Sequence, residues 1–225
     1  MVLDKSTLEE VKKLLSEMKG SVKLMFFVTE GESCQYCNVI EELLSEISGA
    51  SNGNIVVEKH SFDNEKDLVK EHNVDRAPVI IMIGKNKGTV RFYGIPSGHE
   101  FGAFLADIID ASKGDTSEFP DELKAEALKI DKPLRLKVFI TPQCPYCPMA
   151  VRAAHAIAMI NPNVIADAVE AVEFPHWANK YRVRGVPKTV IVDPSDSSET
   201  PKLEFEGAYP PDVMIAKILG EVLGY

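Results

Sequence analysis

Cysteine is scarce in this chain of 225 residues, and none is left over for a structural staple. All four thiols fall in two C-x-x-C pairs, Cys34/Cys37 and Cys144/Cys147. That excludes the disulfide framework of a small secreted domain, and in a cytosolic setting such pairs are catalytic or metal-binding. Positive charge is also short, with 25 Lys and Arg against 34 Asp and Glu, so the net charge is −9. A nucleic-acid partner, which needs clustered Lys and Arg, is not expected. No apolar run is long enough to span a bilayer, and Met1 to Ser6 leads into a charged segment with no apolar signal region. The expectation is a cytoplasmic protein without a membrane partner. Glutamine occurs only as Gln35 and Gln143, a composition seen in thermophiles, where intracellular disulfides are more common. What is plentiful is core material: 45% of residues are hydrophobic, enough for a folded globular chain.

The second thiol pair follows a mostly apolar run, Leu136 to Ile140, and precedes a helix-compatible stretch, Met149 to Ile160. Strand, tight turn and helix start are thus packed into about a dozen residues. The unpaired N–H groups and dipole at a helix N-terminus favour an anion, so the first cysteine should ionise readily. The second is then placed to attack any mixed disulfide the first one forms. The same element occurs at Cys34-Gln35-Tyr36-Cys37, after the apolar run Val22 to Val28.

Other landmarks repeat as well. Cys34 and Cys144 are 110 residues apart, Pro78 and Pro187 are 109 apart, and Gly94 and Gly207 are 113 apart. That period is the size of a domain, far above the repeat of a solenoid. Hydrophobic periodicity gives each unit the order α-β-α-β-α-β-β-α, an α/β fold with a mixed central sheet and helices on both faces. The Gly-, Asp-, Ser- and Pro-rich segment from Lys113 to Pro120 marks the boundary, giving units of residues 1–115 and 116–225. Ser6 is expected to cap the first helix, and strands are expected over Ile55 to Phe62 and within Val164 to Phe174.

Strand, C-x-x-C, helix, and a hydrophobic-Pro step about forty residues later, before a hairpin, together resemble the thioredoxin fold. Cys-Pro-Tyr-Cys is the glutaredoxin version of the motif. Two such units in one short chain resemble the protein disulfide oxidoreductases of hyperthermophilic archaea and bacteria, from about Thr7 to Leu223. The resemblance implies two tandem thioredoxin-like domains with Cys34, Cys37, Cys144 and Cys147 catalytic. It implies that Pro78 and Pro187 are cis and face the thiols, so that Ala77 and Val186 pair main chain to main chain with an extended substrate. It also implies protein thiol and disulfide substrates, formation, reduction and isomerisation of disulfides, no cofactor in this chain, and recharging by a flavin-dependent thioredoxin reductase.

Three rivals stand beside that reading. Four cysteines satisfy a zinc site on paper, but zinc ribbons separate their pairs by about 15 to 20 residues, and here a whole domain intervenes. No metal is expected. The N-terminal part of the alkyl hydroperoxide reductase flavoprotein, a dedicated electron-transfer module, is also similar, but its first thioredoxin fold lacks the thiol pair that Cys34 and Cys37 form here. A non-catalytic peptide-holding module is the third.

The two sites are expected to differ. Glu30, Glu32, Glu41 and Glu42 surround the first pair, whereas Arg152 lies near the second in sequence; the resemblance to the thioredoxin fold implies that Arg184, three residues before Pro187, also approaches the second site, and Asp75 holds the corresponding place in the first. Cationic surroundings favour thiolate, so Cys144 is expected to be the more acidic thiol. Tyr36 and Tyr146 read equally as packing or as gates to the thiols. His155 reads as a packed or solvated side chain, and His60, His72, His99 and His176 form no ligand spacing. Glu170 and Glu173 are placed in a strand, exposed at its end, with a buried proton relay as the lesser reading.

Overall fold

Successive residues of a strand face opposite sides, and β1 (Val22–Val28) uses both: Leu24 and Phe26 enter one core, Met25 and Phe27 the other. The computed structural model, which describes residues 2–29 and 34–225, builds eight strands of this kind into one sheet. Its order is β2-β1-β3-β4-β6-β5-β7-β8, with β2 (Ile55–Ser61), β3 (Val79–Ile83), β4 (Thr89–Tyr93), β5 (Leu134–Ile140), β6 (Val164–Glu170), β7 (Lys188–Val192) and β8 (Pro201–Glu206).

Each half supplies four strands in the same arrangement, a parallel pair extended by an antiparallel hairpin. The halves are joined by β4 and β6, which run parallel in the register Arg91↔Asp167 and Tyr93↔Val169. The expectation of two separate sheets is thereby refined to one continuous sheet.

The larger core lies on one face, beneath α1 (Lys5–Leu15), α2 (Cys37–Ala50), α4 (Glu100–Lys113), α5 (Asp121–Ala127), α6 (Cys147–Ile160) and α8 (Pro211–Lys217). Helix α6 lies at its centre because Ala150, Ala153, Ala154 and Ala158 on the helix and Ala166 and Ala168 on β6 are small, which lets the backbones approach. The opposite face is covered by α3 (Lys66–Glu71) and α7 (Pro175–Lys180), with Trp177 and Tyr181 over Tyr93 and Phe139.

On that second face a charged row crosses the join. Arg91, Asp167 and Lys137 are register neighbours on β4, β6 and β5, and all three are buried. Arg91 Nε donates to Asp167 Oδ1 at 2.6 Å and Arg135 Nε to Asp167 Oδ2 at 2.6 Å. Arg135 also donates to Asp75, and Lys137 to Glu199.

Local differences from the sequence reading have identifiable causes. Asp4, not Ser6, caps α1: it is extended (φ −71°, ψ 167°) and its carboxylate accepts the Thr7 N–H at 2.8 Å. Strand β6 ends at Glu170, where the Glu170 carboxylate accepts the Glu173 N–H at 2.6 Å and closes a turn. Glu173 therefore lies outside the strand, and Glu170 is buried rather than exposed. The last helix passes from α8 into a π-helical turn, Ile218–Leu223, closed by Gly224 at φ 81°. No helix among the described residues is long and apolar enough to cross a membrane.

Candidate functional site

Both thiol pairs sit where a strand of the central sheet gives way to a helix. Cys37 is the first residue of α2 and Cys147 the first of α6. Each pair is closed as a disulfide, with Cα atoms 5.5 Å apart in the first and 5.4 Å in the second. Neither helix has a side-chain N-cap, so its first N–H groups are available to sulfur. In the second pair this is explicit: the Cys147 N–H points at Cys144 Sγ, 3.1 Å away. On reduction that bond favours the thiolate of Cys144.

The prolines stand opposite the sulfurs. Ala77–Pro78 and Val186–Pro187 are both cis, and the Val186 carbonyl oxygen lies 3.7 Å from Cys144 Sγ. In the first half a cavity of about 180 Å³ is lined by Cys34, Gln35, Ala77 and Pro78 together with Val172, Glu173 and Pro175 of the second half. The glycine landmarks also find their reason here. Gly94 and Gly207, at φ 92° and 97°, donate their N–H groups to the carbonyls of Pro78 (3.2 Å) and Pro187 (2.8 Å). A left-handed turn, open to glycine at no steric cost, pins each proline loop from behind.

The two sites are unequally buried, and the arginine expected to set them apart is engaged elsewhere. Cys34 and Cys37 are half-buried, whereas Cys144 is 8% exposed and Cys147 is fully buried. Tyr36 packs against the core, while Tyr146 is 65% exposed. Arg152 does not offer a free charge to Cys144. Its guanidinium is taken up by Asp107, by Asp110 at 2.7 Å and by Glu118 at 3.0 Å. Arg184 is exposed, and Asp75 is engaged by Arg135. Glu41 binds Lys59 at 2.6 Å, while Glu30 and Glu32 lie outside the described residues. His155 is packed, its Nδ1 2.6 Å from Asp107 Oδ2.

Two carboxyls stand out that sequence reasoning missed or misplaced. Glu100, at the start of α4, is buried with neither oxygen partnered. Burial, and then the charge of Asp107, push its carboxyl from 4.5 up to about 8. It lies next to the loop before Cys144, since the His99 N–H donates to Pro142 O at 3.0 Å. No spacing rule marks a single glutamate at a helix start, so the sequence held no signal for it. Glu173, far from being exposed at a strand end, lines the Cys34 cavity, and burial lifts its carboxyl to about 7. Among the described residues no group of three or more His, Cys, Asp or Glu is arranged to hold a metal ion.

Comparison with known proteins agrees with this geometry. The family model for a thioredoxin domain matches residues 134–219. Curated relatives include the alkyl hydroperoxide reductase component AhpF of Staphylococcus epidermidis, 27% identical over 168 residues, or 74% of this chain and 30% of that protein. The chain therefore spans under a third of the length of the curated relatives it matches. Among solved structures, a protein disulfide oxidoreductase from Aeropyrum pernix superposes with a TM-score of 0.83 at 27% identity, covering 98% of this chain and 94% of the other. AhpF of Enterococcus faecalis superposes with a TM-score of 0.82 at 21% identity, covering 96% and 99%. Two repeated thioredoxin-like folds, each with a C-x-x-C pair closed as a disulfide at a helix start and a cis-proline loop in the same half, give this chain a two-unit thioredoxin fold.

Proposed function

We propose that the chain is a protein dithiol–disulfide oxidoreductase, working in the cytoplasm through both pairs. Cys34 and Cys144 exchange with the substrate, and Cys37 and Cys147 resolve. The observation that carries this reading is the pairing of each first cysteine with the residue before a proline: Cys34 with Ala77 around one cavity, and Cys144 with the Val186 carbonyl. Main-chain groups of Ala77 and Val186, braced by Pro78 and Pro187, can hold an extended segment without demanding a sequence.

In the reducing direction a Cys144 thiolate attacks a substrate disulfide. A Cys144–substrate bond forms, and the departing sulfur leaves as a thiolate that takes a proton. Cys147 then loses its proton and attacks Cys144, releasing the second substrate sulfur and closing the enzyme disulfide, so that two electrons have passed to the substrate. The oxidising direction is the reverse. Units 1–115 and 116–225 are the proposed bearers of one centre each. A flavin-dependent reductase is the proposed source of electrons.

The test compares wild type with Cys34→Ser/Cys37→Ser and Cys144→Ser/Cys147→Ser in insulin reduction and in rescue of scrambled ribonuclease without added oxidant. Rescue that either variant loses supports cooperation of the pairs in isomerisation. Inability of wild type to act on either protein refutes protein substrates.

A second reading is favoured by one finding, the match of three-quarters of the chain to the AhpF component of alkyl hydroperoxide reductases. In it the chain passes electrons to a peroxidase. Reduction of a peroxiredoxin disulfide much faster than of insulin would select it.

A further inference from the structure

The wall of the Cys34 cavity is built by both halves of the chain. Cys34, Gln35, Ala77 and Pro78 come from the first, and Val172, Glu173 and Pro175 from the segment following β6 in the second. Glu173 is the only carboxyl among the described residues lining it, and it is firmly held. One of its oxygens accepts the Ile95 N–H at 2.7 Å, and its own N–H donates to Glu170. Gly94 leaves the space it fills: a Cβ there would lie 2.6 Å from Glu173 Oε1. The exchange steps carried by the cysteines alone make no use of this group.

Resting on the dithiol reading of the first pair, we propose that Glu173 takes the proton from a substrate thiol as that thiol attacks Cys34, so that the second half completes the first site. In the structure the first pair is oxidised, and an attacking thiol must first be ionised. The substrate S–H gives its proton to the Glu173 carboxylate, directly or through one water. The substrate sulfur then bonds to Cys34 Sγ as the Cys34–Cys37 bond breaks. The electron pair of the broken bond goes to Cys37 Sγ, which takes a proton from solvent. After Glu173 has passed its proton to solvent, a second substrate thiol gives up its proton and attacks the substrate sulfur of the mixed disulfide; the Cys34–substrate bond breaks, and its electron pair goes to Cys34 Sγ, which takes a proton. The first site is then a dithiol and the substrate a disulfide, with two electrons and two protons transferred.

The surroundings suit this role. Burial raises the Glu173 carboxyl from 4.5 to about 7, against the lowering effect of the Ile95 N–H and with a further push from the charge of Glu170. A base that is half-ionised near neutral pH is well matched to proton transfer from a thiol of ordinary pKa about 8.5. Among the described residues, the other charged or titratable groups facing Glu173 are Asp75, Arg76 and His176 in one adjoining cavity and Glu170 with Tyr36 in the next.

The test uses the full chain carrying Cys144→Ser/Cys147→Ser, so that only the first pair reports. The oxidised protein is mixed with a dithiol peptide, quenched with acid and alkylated, and the single-turnover rate is followed against pH. With Glu173 present the rate should climb through about pH 7. Glu173→Gln, whose amide oxygen can still accept the Ile95 N–H, should be at least ~10-fold slower near pH 7, a loss smaller than the roughly 10²–10⁴-fold that positioned proton transfer supplies because about half of Glu173 is already protonated there and a small fraction of the thiol is already ionised. It should approach the parent above about pH 9, where the peptide thiol ionises unaided. Glu173→Asp should recover part of the loss at neutral pH. Profiles of the same shape, whether superimposed or offset by a constant factor, would overturn the assignment, the second pointing to a structural role. A parent protein that the peptide fails to reduce at any pH would overturn the redox reading of the first pair, and this inference with it.

Discussion

Replacing Asp167 by Asn should loosen the join between the two halves more than any other single change of charge on that face. The carboxylate accepts from Arg91 Nε and Arg135 Nε, both at 2.6 Å, and from Arg91 Nη2 at 3.3 Å. Asp167 and Arg91 are fully buried, and the Arg135 side chain is 7% exposed. Burial alone would raise the carboxyl. The opposing charges of Arg135 and then Arg91 overcome it and hold the group at about 2 rather than 3.8. A depression of that size corresponds to roughly 2 kcal/mol of stability at neutral pH. Removing one partner of a buried ion pair costs about 3–5 kcal/mol, because the other charge is stranded. The expected loss is therefore about 2–5 kcal/mol. At roughly 2–4 °C per kcal/mol for a chain of this size, Tm should fall by about 5–20 °C. The sign with pH follows from the depressed value: the contribution is complete above the unfolded value of 3.8 and disappears as pH falls toward about 2. Thermal unfolding followed by circular dichroism from near pH 7 to near pH 2 should show the variant far below wild type at neutrality and converging in acid. A Tm within about 2 °C of wild type at neutrality, or a deficit that does not shrink in acid, would refute the reasoning.

Other outcomes follow from local geometry. Gly88 presses the β3–β4 turn onto the end of α6, donating to Ala158 O at 2.8 Å, and an added Cβ would run into the carbonyls of Val164, Asn161 and Ala158. Gly88→Ala should lower the denaturant midpoint by an equivalent of ~2–4 kcal/mol at unchanged m. Gly102→Ala, on α4 with nothing within 4 Å of the new methyl, should gain up to ~1 kcal/mol. Glu100 is held mostly neutral at pH 7, so wild type should lose stability relative to Glu100→Gln as pH rises from 4.5 toward 8; a stability difference constant over that range would contradict the burial of an un-ionised carboxyl. In reduced protein, iodoacetamide should reach Cys34 faster than Cys144 once both are ionised, because Cys34 is half-buried and Cys144 nearly closed off. The Cys147 N–H should still give Cys144 the lower midpoint in pH, and the reverse ranking of midpoints would show that the bond does not govern its ionisation.

The strand-turn-helix units were legible because their signals are local. The apolar runs Val22 to Val28 and Leu136 to Ile140 read as strands and lie in β1 and β5, and the helices after each thiol pair begin at the second cysteine. The fused sheet was not legible. Arg91, Arg135, Lys137 and Asp167 alternate with apolar residues, a pattern that in one strand means a solvated face. Only in register across β4, β6 and β5 do their opposite charges become neighbours. Arg152 misled for a related reason. Sequence proximity to Cys144 says nothing about Asp107 and Asp110, which arrive from α4 more than forty residues upstream and consume its charge. Glu170 and Glu173 look like ordinary polar residues at a strand end. They are covered because that end of β6 abuts Gly94 and Ile95 of the other half.

The parallel pairing of β4 with β6 leaves the chain without a joint. Domains strung on a flexible tether can swing their redox centres together, but here an unbroken ladder of backbone hydrogen bonds from β2 to β8 fixes the bearing of each centre relative to the other. β1 and β5, which lead into the two centres, stand four strand steps apart, about 19 Å at ~4.8 Å per strand, so in the proposed dithiol–disulfide role electrons passed between the two travel on something that lets go: a substrate cysteine or a small thiol released at one centre and captured at the other. Exchange between the centres should accordingly depend on the concentration of that carrier, and stiffening the chain further should leave it unchanged.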